Sequence, residues 1–329
     1  MRPHNSHLAS RHPSPSGTMS GNTQNQNRVR VAIVTGAAQG IGRAIALRLA
    51  ADGLDVAVND IEREREALEQ VVNEIQALGR QAISLPGDVT SEEAVESMVE
   101  SAVQKLGRLD VMVANAGVGH GGVGPPHMTI IDMSLQNWKN LNSVNVEGVM
   151  LCYKYAARQM IKQGEGGRII GASSICGKRG VATLGAYCAS KFAVRGLTQC
   201  AAQELSEYNI TVNAYAPGTI YTSMTKVHKD GGIERLKETL GFPQAKTGYP
   251  DDIAQWVSSI ASPASHFITG MCTSPLTRYE GRLKLYVHIF RTDDDHRRRF
   301  VVRLTLTYGA SFPGLICTKV FVNVHRETL

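Results

Sequence analysis

Val29-Arg30-Val31-Ala32-Ile33-Val34-Thr35-Gly36-Ala37-Ala38-Gln39-Gly40-Ile41-Gly42 decides the fold of this chain. Val29 to Thr35 is a short apolar run, the pattern of a strand buried in a parallel sheet. From residue 40 to 52 the pattern changes to helical periodicity. Between the two lies a glycine turn, Thr35 to Gly42. Backbone without Cβ can approach a ligand closely, and the N-terminus of the following helix presents N–H groups to an anion. A glycine cluster alone marks only a loop. Placed between an apolar strand and a periodic helix, it indicates a pyrophosphate-holding turn of the dinucleotide type.

Reading outward, the strand candidates are Leu54 to Asn59, Gln81 to Leu85, Leu109 to Ala114, about 167–173, and Ile210 to Tyr215. Helical stretches alternate with them: 62–79, 91–107, a long helix after Ser134, and one carrying Tyr187 to about 208. Alternation at this spacing predicts an α/β doubly wound parallel sheet, the Rossmann arrangement. Asp60 ends the second strand, 18 residues after Gly42. A carboxylate there accepts hydrogen bonds from adenosine ribose hydroxyls and repels a 2′-phosphate. Gln39 places no cation beside it, so the site favours NAD over NADP; Arg43 and Arg63 are the cations that speak for NADP.

The 329 residues suit one large α/β domain with tails: a polar tail 1–28, a catalytic body 29–271, and an atypical extension 272–329. The tail is rich in Ser, Asn, Gln, Pro and His and is read as disordered. It lacks a signal peptide's apolar core. Its arginines would suit a mitochondrial presequence, but its prolines oppose the helix that needs. The net charge of +6 sits at the ends. Residues 1–30 hold four arginines and no acid, and 272–329 hold ten basic and five acidic residues, so the body is net −3. That argues against a nucleic-acid partner. No apolar run reaches the roughly 20 residues of a membrane span. The six cysteines show no C-x-x-C spacing and are read as free thiols in a cytoplasmic protein. No cluster has metal-ligand spacing.

Gly185-Ala186-Tyr187-Cys188-Ala189-Ser190-Lys191 carries the chemistry. Four residues apart on a helix, Tyr187 and Lys191 share one face. An ammonium neighbour is expected to lower a phenol pKa from about 10 and so tune it as an acid/base. By itself the pair is as well read as a surface lysine beside a half-buried tyrosine.

Together, Thr35–Gly42, Asn115-Ala116-Gly117, Asn145, Ser174, Tyr187-x-x-x-Lys191 and Pro217-Gly218 resemble the short-chain dehydrogenase/reductase family over about 29–271. The runs Gly167–Ser174 and Ala193–Gln199 look most like its acetoin/diacetyl-reductase and 3-oxoacyl-reductase types. The resemblance implies an NAD(P)-dependent oxidoreductase interconverting a ketone and a secondary alcohol. It implies that Ser174 holds the substrate oxygen and Tyr187 passes the proton. Lys191 would lower the tyrosine pKa and hold the nicotinamide ribose, while Asn145 anchors a relay water. Gly36, Gly40, Ile41 and Gly42 would form the cofactor turn. Asp60 and Asp88 would meet the adenosine, with Asn115 alongside. Pro217, Ile220 and Thr222 would surround the nicotinamide. Ser173, the adjacent hydroxyl, is expected to face away from the substrate. Residues 118–128, Ile175 to Thr183 and a lid at 223–248 hinged at Gly231-Gly232 are the expected substrate walls. They suggest a small or medium neutral ketone or secondary alcohol.

The family pattern breaks after Ile268-Thr269-Gly270, where a last edge strand ending in Asp-Gly-Gly is expected and Met271-Cys272-Thr273-Ser274-Pro275 stands instead. Pro275 would deny that strand a donor. One reading of 272–329 is an added β-module or partner-binding extension. The preferred one is an abnormal C-terminus, because the break replaces a core element and leaves the sixth strand exposed. The family's homo-oligomer is then in question. Two other functional readings stand beside the enzyme: a catalytically silent dinucleotide-binding protein, and a binding protein acting through the basic tail.

Overall fold

The computed structural model describes residues 28–119, 128–226 and 232–274. The tail 1–27, the wall segment 120–127, the hinge residue Gly231 with 227–230, and the extension from Pro275 onward lie outside the described residues.

Seven strands form one parallel sheet in the order β3-β2-β1-β4-β5-β6-β7. They are β1 (Val31–Thr35), β2 (Asp55–Asn59), β3 (Ala82–Ser84), β4 (Val111–Ala114), β5 (Gly167–Ala172), β6 (Ile210–Tyr215) and β7 (Cys272–Thr273). The helices are α1 (Gly40–Ala51), α2 (Arg65–Ala77), α3 (Glu92–Leu106), α4 (Leu135–Asn142), α5 (Gly148–Gln163), α6 (Gly185–Glu204), α7 (Ser223–Lys226), α8 (Gly232–Thr239) and α9 (Pro250–Ala261). Successive strand side chains point to opposite faces. Ala32, Val34, Val56, Val58, Val111, Val113 and Ile170 therefore pack against α1, α2 and α9. Ile33, Ala57, Met112, Ile169 and Val212 pack against α3, α5 and α6. A strand covered on both sides must be apolar throughout, which is why β1 reads as an unbroken run.

The strand order reverses between β1 and β4, and the crevice at their carboxyl ends is where a ligand binds in such sheets. Two sequence expectations change here. The long helix after Ser134 is interrupted: α4 passes into a π-turn at Ser143–Glu147 before α5 begins. The sixth strand is not an edge either. Cys272 and Thr273 pair with Ala214 and Tyr215. The carbonyls of Met271 and Thr273 accept from Ala214 and Ala216 N–H, both at 2.7 Å, and Gly270 N–H donates to Val212. The seventh strand thus begins in its expected place, supplying carbonyls, and Pro275 lies beyond the paired residues.

Candidate active site

The turn after β1 is shaped by backbone that admits no side chain. Gly36 and Gly40 hold φ of +63° and +56°, in the left-handed region. A Cβ on Gly42 would lie 2.0 Å from the Gly36 carbonyl oxygen, and one on Gly36 2.9 Å from Ala116 Cα. The first turn of α1 is therefore pressed onto the end of β1, with Ile41 partly buried in it. Gln39, at the helix start, gives no side-chain cap; its Oε1 accepts from Ser223 Oγ at 2.7 Å.

Residues from β4 brace this turn. The Thr35 hydroxyl accepts from the backbone N–H groups of Asn115 and Ala116, each at 3.0 Å. Asn115 Nδ2 donates to the carbonyls of Thr35 and Gly36 at 2.8 and 3.1 Å, and its Oδ1 accepts from the Tyr215 hydroxyl at 2.7 Å. An amide side chain offers few further bonds. Asn115, expected along the adenosine, is thus engaged in shaping the cradle.

Asp60 follows β2. Its carboxylate accepts from Ala38 N–H at 3.1 Å and Ile61 N–H at 2.9 Å. Burial raises its carboxyl pKa, and the two amides pull the other way. Arg43 is ion-paired with Glu74 and Arg63 with Glu64. Asp88 is exposed at the entry to α3, where it accepts from Thr90 N–H at 2.9 Å. Beyond β6, the Pro217 carbonyl accepts from Ile175 N–H at 2.8 Å. Ile220 bridges to Gly248, and Thr222 lies 3.6 Å from where a Cβ on Gly40 would be.

At the end of β5 the two serines separate. Ser173 Oγ donates to the Lys191 carbonyl at 2.9 Å. Ser174 lies beside Tyr187, lowering its pKa, and accepts from Cys176 N–H at 3.2 Å. Along α6, Lys191 Nζ lies 5.6 Å from the centre of the Tyr187 ring and donates to the Ala172 carbonyl at 3.0 Å. Asn145 sits fully buried in the π-turn. Its Oδ1 accepts from Val118 N–H at 2.8 Å, and its Nδ2 donates to the Val118 carbonyl and to Ser190 Oγ. Ser190 Oγ in turn donates to the Tyr187 carbonyl at 2.7 Å.

The electrostatics correct one expectation. Burial pushes the Tyr187 phenol above its ordinary value, and the nearby Cys176 thiol adds to that, while Ser174 opposes it. Burial pushes the Lys191 ammonium down to about 8. Desolvation penalises either charged form, and i,i+4 spacing says nothing about desolvation.

The crevice thus gathers Gly36–Gly42, Asn145, Ser174, Tyr187, Lys191 and the Pro217–Thr222 segment, with Asp60 and Asp88 on its β2–β3 side. Sequence reading did not single out the supporting roles of Thr35, Ser190, Tyr215 and Ser223. Their partners are mostly distant in the chain, Tyr215 and Asn115 by 100 residues, so spacing gave no signal. Among the described residues no group of side chains has the makings of a metal site, and no helix is long and apolar enough to cross a membrane.

The chain is similar to known proteins. A model of the short chain dehydrogenase family matches residues 30–231. A short-chain dehydrogenase/reductase, eriH of Hericium erinaceus, is 46% identical over 243 residues, covering 73% of this chain and 93% of its own. An L-2,3-butanediol dehydrogenase of Corynebacterium glutamicum is 39% identical over 250 residues, covering 73% and 95%. The crystal structure of carveol dehydrogenase from Mycobacterium avium in complex with NAD superposes with a TM-score of 0.68 at 29% identity, covering 75% of this chain and 95% of that one. With a glycine cradle at the switch point and a Ser-Tyr-Lys set facing it, the chain belongs to the short-chain dehydrogenase/reductase family, whose members are oxidoreductases acting on CH–OH groups.

Proposed function

We propose that the protein interconverts a small or medium neutral ketone and its secondary alcohol, using NAD(H) in preference to NADP(H), with Tyr187 as the proton donor and acceptor. The observation that carries this is Ser174 beside Tyr187, with Lys191 Nζ 5.6 Å from the tyrosine ring centre, at the carboxyl ends of β4 and β5. The glycine cradle fits a dinucleotide: a Cβ would fill it at Gly36 and Gly42, and Asp60 is fixed by two amides where a ribose would lie. Gly36, Gly40, Ile41, Gly42 and Asp60 would hold the cofactor's pyrophosphate and adenosine end, with Asp88 beside the adenine. Lys191, Pro217, Ile220 and Thr222 would hold its nicotinamide end. The bound nicotinamide supplies or takes the hydride.

The chain's own groups do the rest. Ser174 and Tyr187 hold the substrate oxygen. A phenol raised by burial keeps its proton at neutral pH, which suits it to protonate the developing alkoxide in reduction. Lys191, brought to about 8, is poised to restore that proton. The Asn145 side chain is engaged by Val118 and Ser190, so the relay water falls to its main chain, since a π-turn leaves carbonyls outside the regular helical ladder. Around Tyr187 the walls are apolar: Ile175, Val181, Leu184, Leu236, Leu240 and Phe242. Such a lining favours an uncharged substrate. The ion pairs of Arg43 and Arg63 and the carboxylate of Asp60 all disfavour a 2′-phosphate.

The test is a panel of ketones, diketones and diols with NADH, NADPH, NAD and NADP, followed at the nicotinamide absorbance, on wild type and Tyr187→Phe. The variant is expected to lose turnover while NADH binding survives. An active Phe variant refutes the role of the phenol.

A further inference from the structure

The chain after β6 reaches across the crevice and is fastened on the far side by a side-chain bond. Up to Tyr221 it is fixed through its main chain. The Pro217 carbonyl accepts from Ile175 N–H at 2.8 Å. Gly248 N–H donates to the Thr219 carbonyl, and Tyr221 N–H donates to the Gly248 carbonyl, both at 2.9 Å. From Ile220 to Thr225 the chain closes on itself. The Thr225 hydroxyl accepts from Thr222 N–H at 2.9 Å and donates to the Ile220 carbonyl at 2.8 Å.

This closed turn touches both lips of the crevice. On the β1 lip, Ser223 Oγ donates to Gln39 Oε1 at 2.7 Å. Thr222 Cγ2 lies 3.6 Å from where a Cβ on Gly40 would be. On the β4 lip, Met224 Sδ lies 3.5 Å from where a Cβ on Gly119 would be. Among the described residues, the Ser223–Gln39 bond is the one hydrogen bond that joins 222–225 to any residue outside 220–225. Both residues are exposed and stand 184 positions apart. A bond between exposed side chains adds little to folding, because water can replace either partner. Its consequence lies in what it joins, the start of α1 and the segment beyond β6.

We propose that Gln39 and Ser223 form a clasp over the bound dinucleotide, and that the breaking of their bond sets how fast the cofactor leaves. The clasp rests on the functional reading above, which puts the pyrophosphate at Gly36–Gly42 and the nicotinamide end at Pro217–Thr222. A dinucleotide reaching from one to the other has the clasped segment across its exit. Tyr221 is the hinge, since main-chain bonds hold it to Gly248 while the fastening two residues on is a side-chain bond. Swinging the turn outward costs that bond and the van der Waals contacts at Gly40 and Gly119. In many enzymes such an opening step, and not the chemistry, limits turnover. Gln39 and Ser223 are positioning residues in this reading. The net worth of one hydrogen bond corresponds to about two- to ten-fold in a rate.

The full chain is loaded with NADH and mixed rapidly with excess NAD, and the loss of NADH fluorescence gives the release rate. Ser223→Ala and Gln39→Ala are each expected to speed release by about two- to ten-fold, and the double variant by no more than either single one. Ser223→Thr keeps the hydroxyl and is expected to release NADH as wild type does. Association rates and circular dichroism should stay those of wild type, which separates a clasp on the bound state from a general loosening of the site. The proposal is overturned if either alanine variant releases NADH at the wild-type rate, or if Ser223→Thr releases it as fast as Ser223→Ala. It is also overturned if the two alanine effects multiply in the double variant, because the residues then act independently. A wild type that takes up no NADH overturns the cofactor reading and the clasp together. A clasp that behaves as expected in a protein reducing no ketone counts against the proposed function alone.

Discussion

Replacing Lys191 by Met is expected to make the protein more stable and much less active. The ammonium is buried to 4% exposure with one carbonyl partner, Ala172. Burial brings its pKa from 10.5 to about 8. That gap corresponds to about 3 kcal/mol against folding wherever both states carry the proton. Between pH 8 and 10.5 the unfolded chain binds more protons than the folded one, so wild-type stability rises with pH across this window. Below about pH 8 the penalty is constant. Methionine has a similar unbranched length and no charge to desolvate. It leaves the Ala172 carbonyl unpaired, at about 1 kcal/mol. The net expectation at pH 6.5 is a gain of about 2 kcal/mol, or roughly 5 °C in melting temperature. Denaturant melts of both proteins at pH 6.5, 8, 9 and 10 measure it, with turnover recorded on the same samples. The stability gap should close as pH rises, because wild type catches up. If Lys191→Met melts below wild type at pH 6.5, or if the gap ignores pH, then desolvation does not govern this lysine.

Asp60→Ser removes the charge proposed to face the cofactor ribose. Lost charge-assisted bonds cost about 1.5–3 kcal/mol, so the ratio of kcat/KM for NADH to that for NADPH should fall on the order of 100-fold; an unchanged ratio would place the discriminating charge elsewhere. Gly42→Ala drives a Cβ to 2.0 Å from the Gly36 carbonyl. Overpacking of this kind costs about 1–3 kcal/mol, and NADH fluorescence titration should show binding lost before the fold is. Tyr215→Phe removes the hydroxyl that donates to Asn115 Oδ1 and leaves a part-buried acceptor unpaired. It should cost about 1–3 kcal/mol in urea unfolding and raise KM for NADH more than it lowers kcat.

Much of this molecule is written locally. The run Val29–Gly42 specifies a buried strand, a Cβ-free turn and a helix, because backbone sterics and hydrophobic period act over a few residues. The same holds for Tyr187 and Lys191 on one helical face, and for the alternation that predicts a parallel sheet. Other features required the assembled fold. Asn115 is engaged by Thr35 and by Tyr215, which arrive from two other strands. The π-turn that carries Asn145 divides a helix the sequence shows as continuous. Two residues beyond Met271 complete a seventh strand where the sequence pattern shows a break, because β6 supplies the donors that hold it. The direction of the Tyr187 shift belongs to the same class. Spacing along a chain fixes which groups share a face. How much water remains around them, and which distant group meets them, depends on every element packed above, and desolvation then decides the charge.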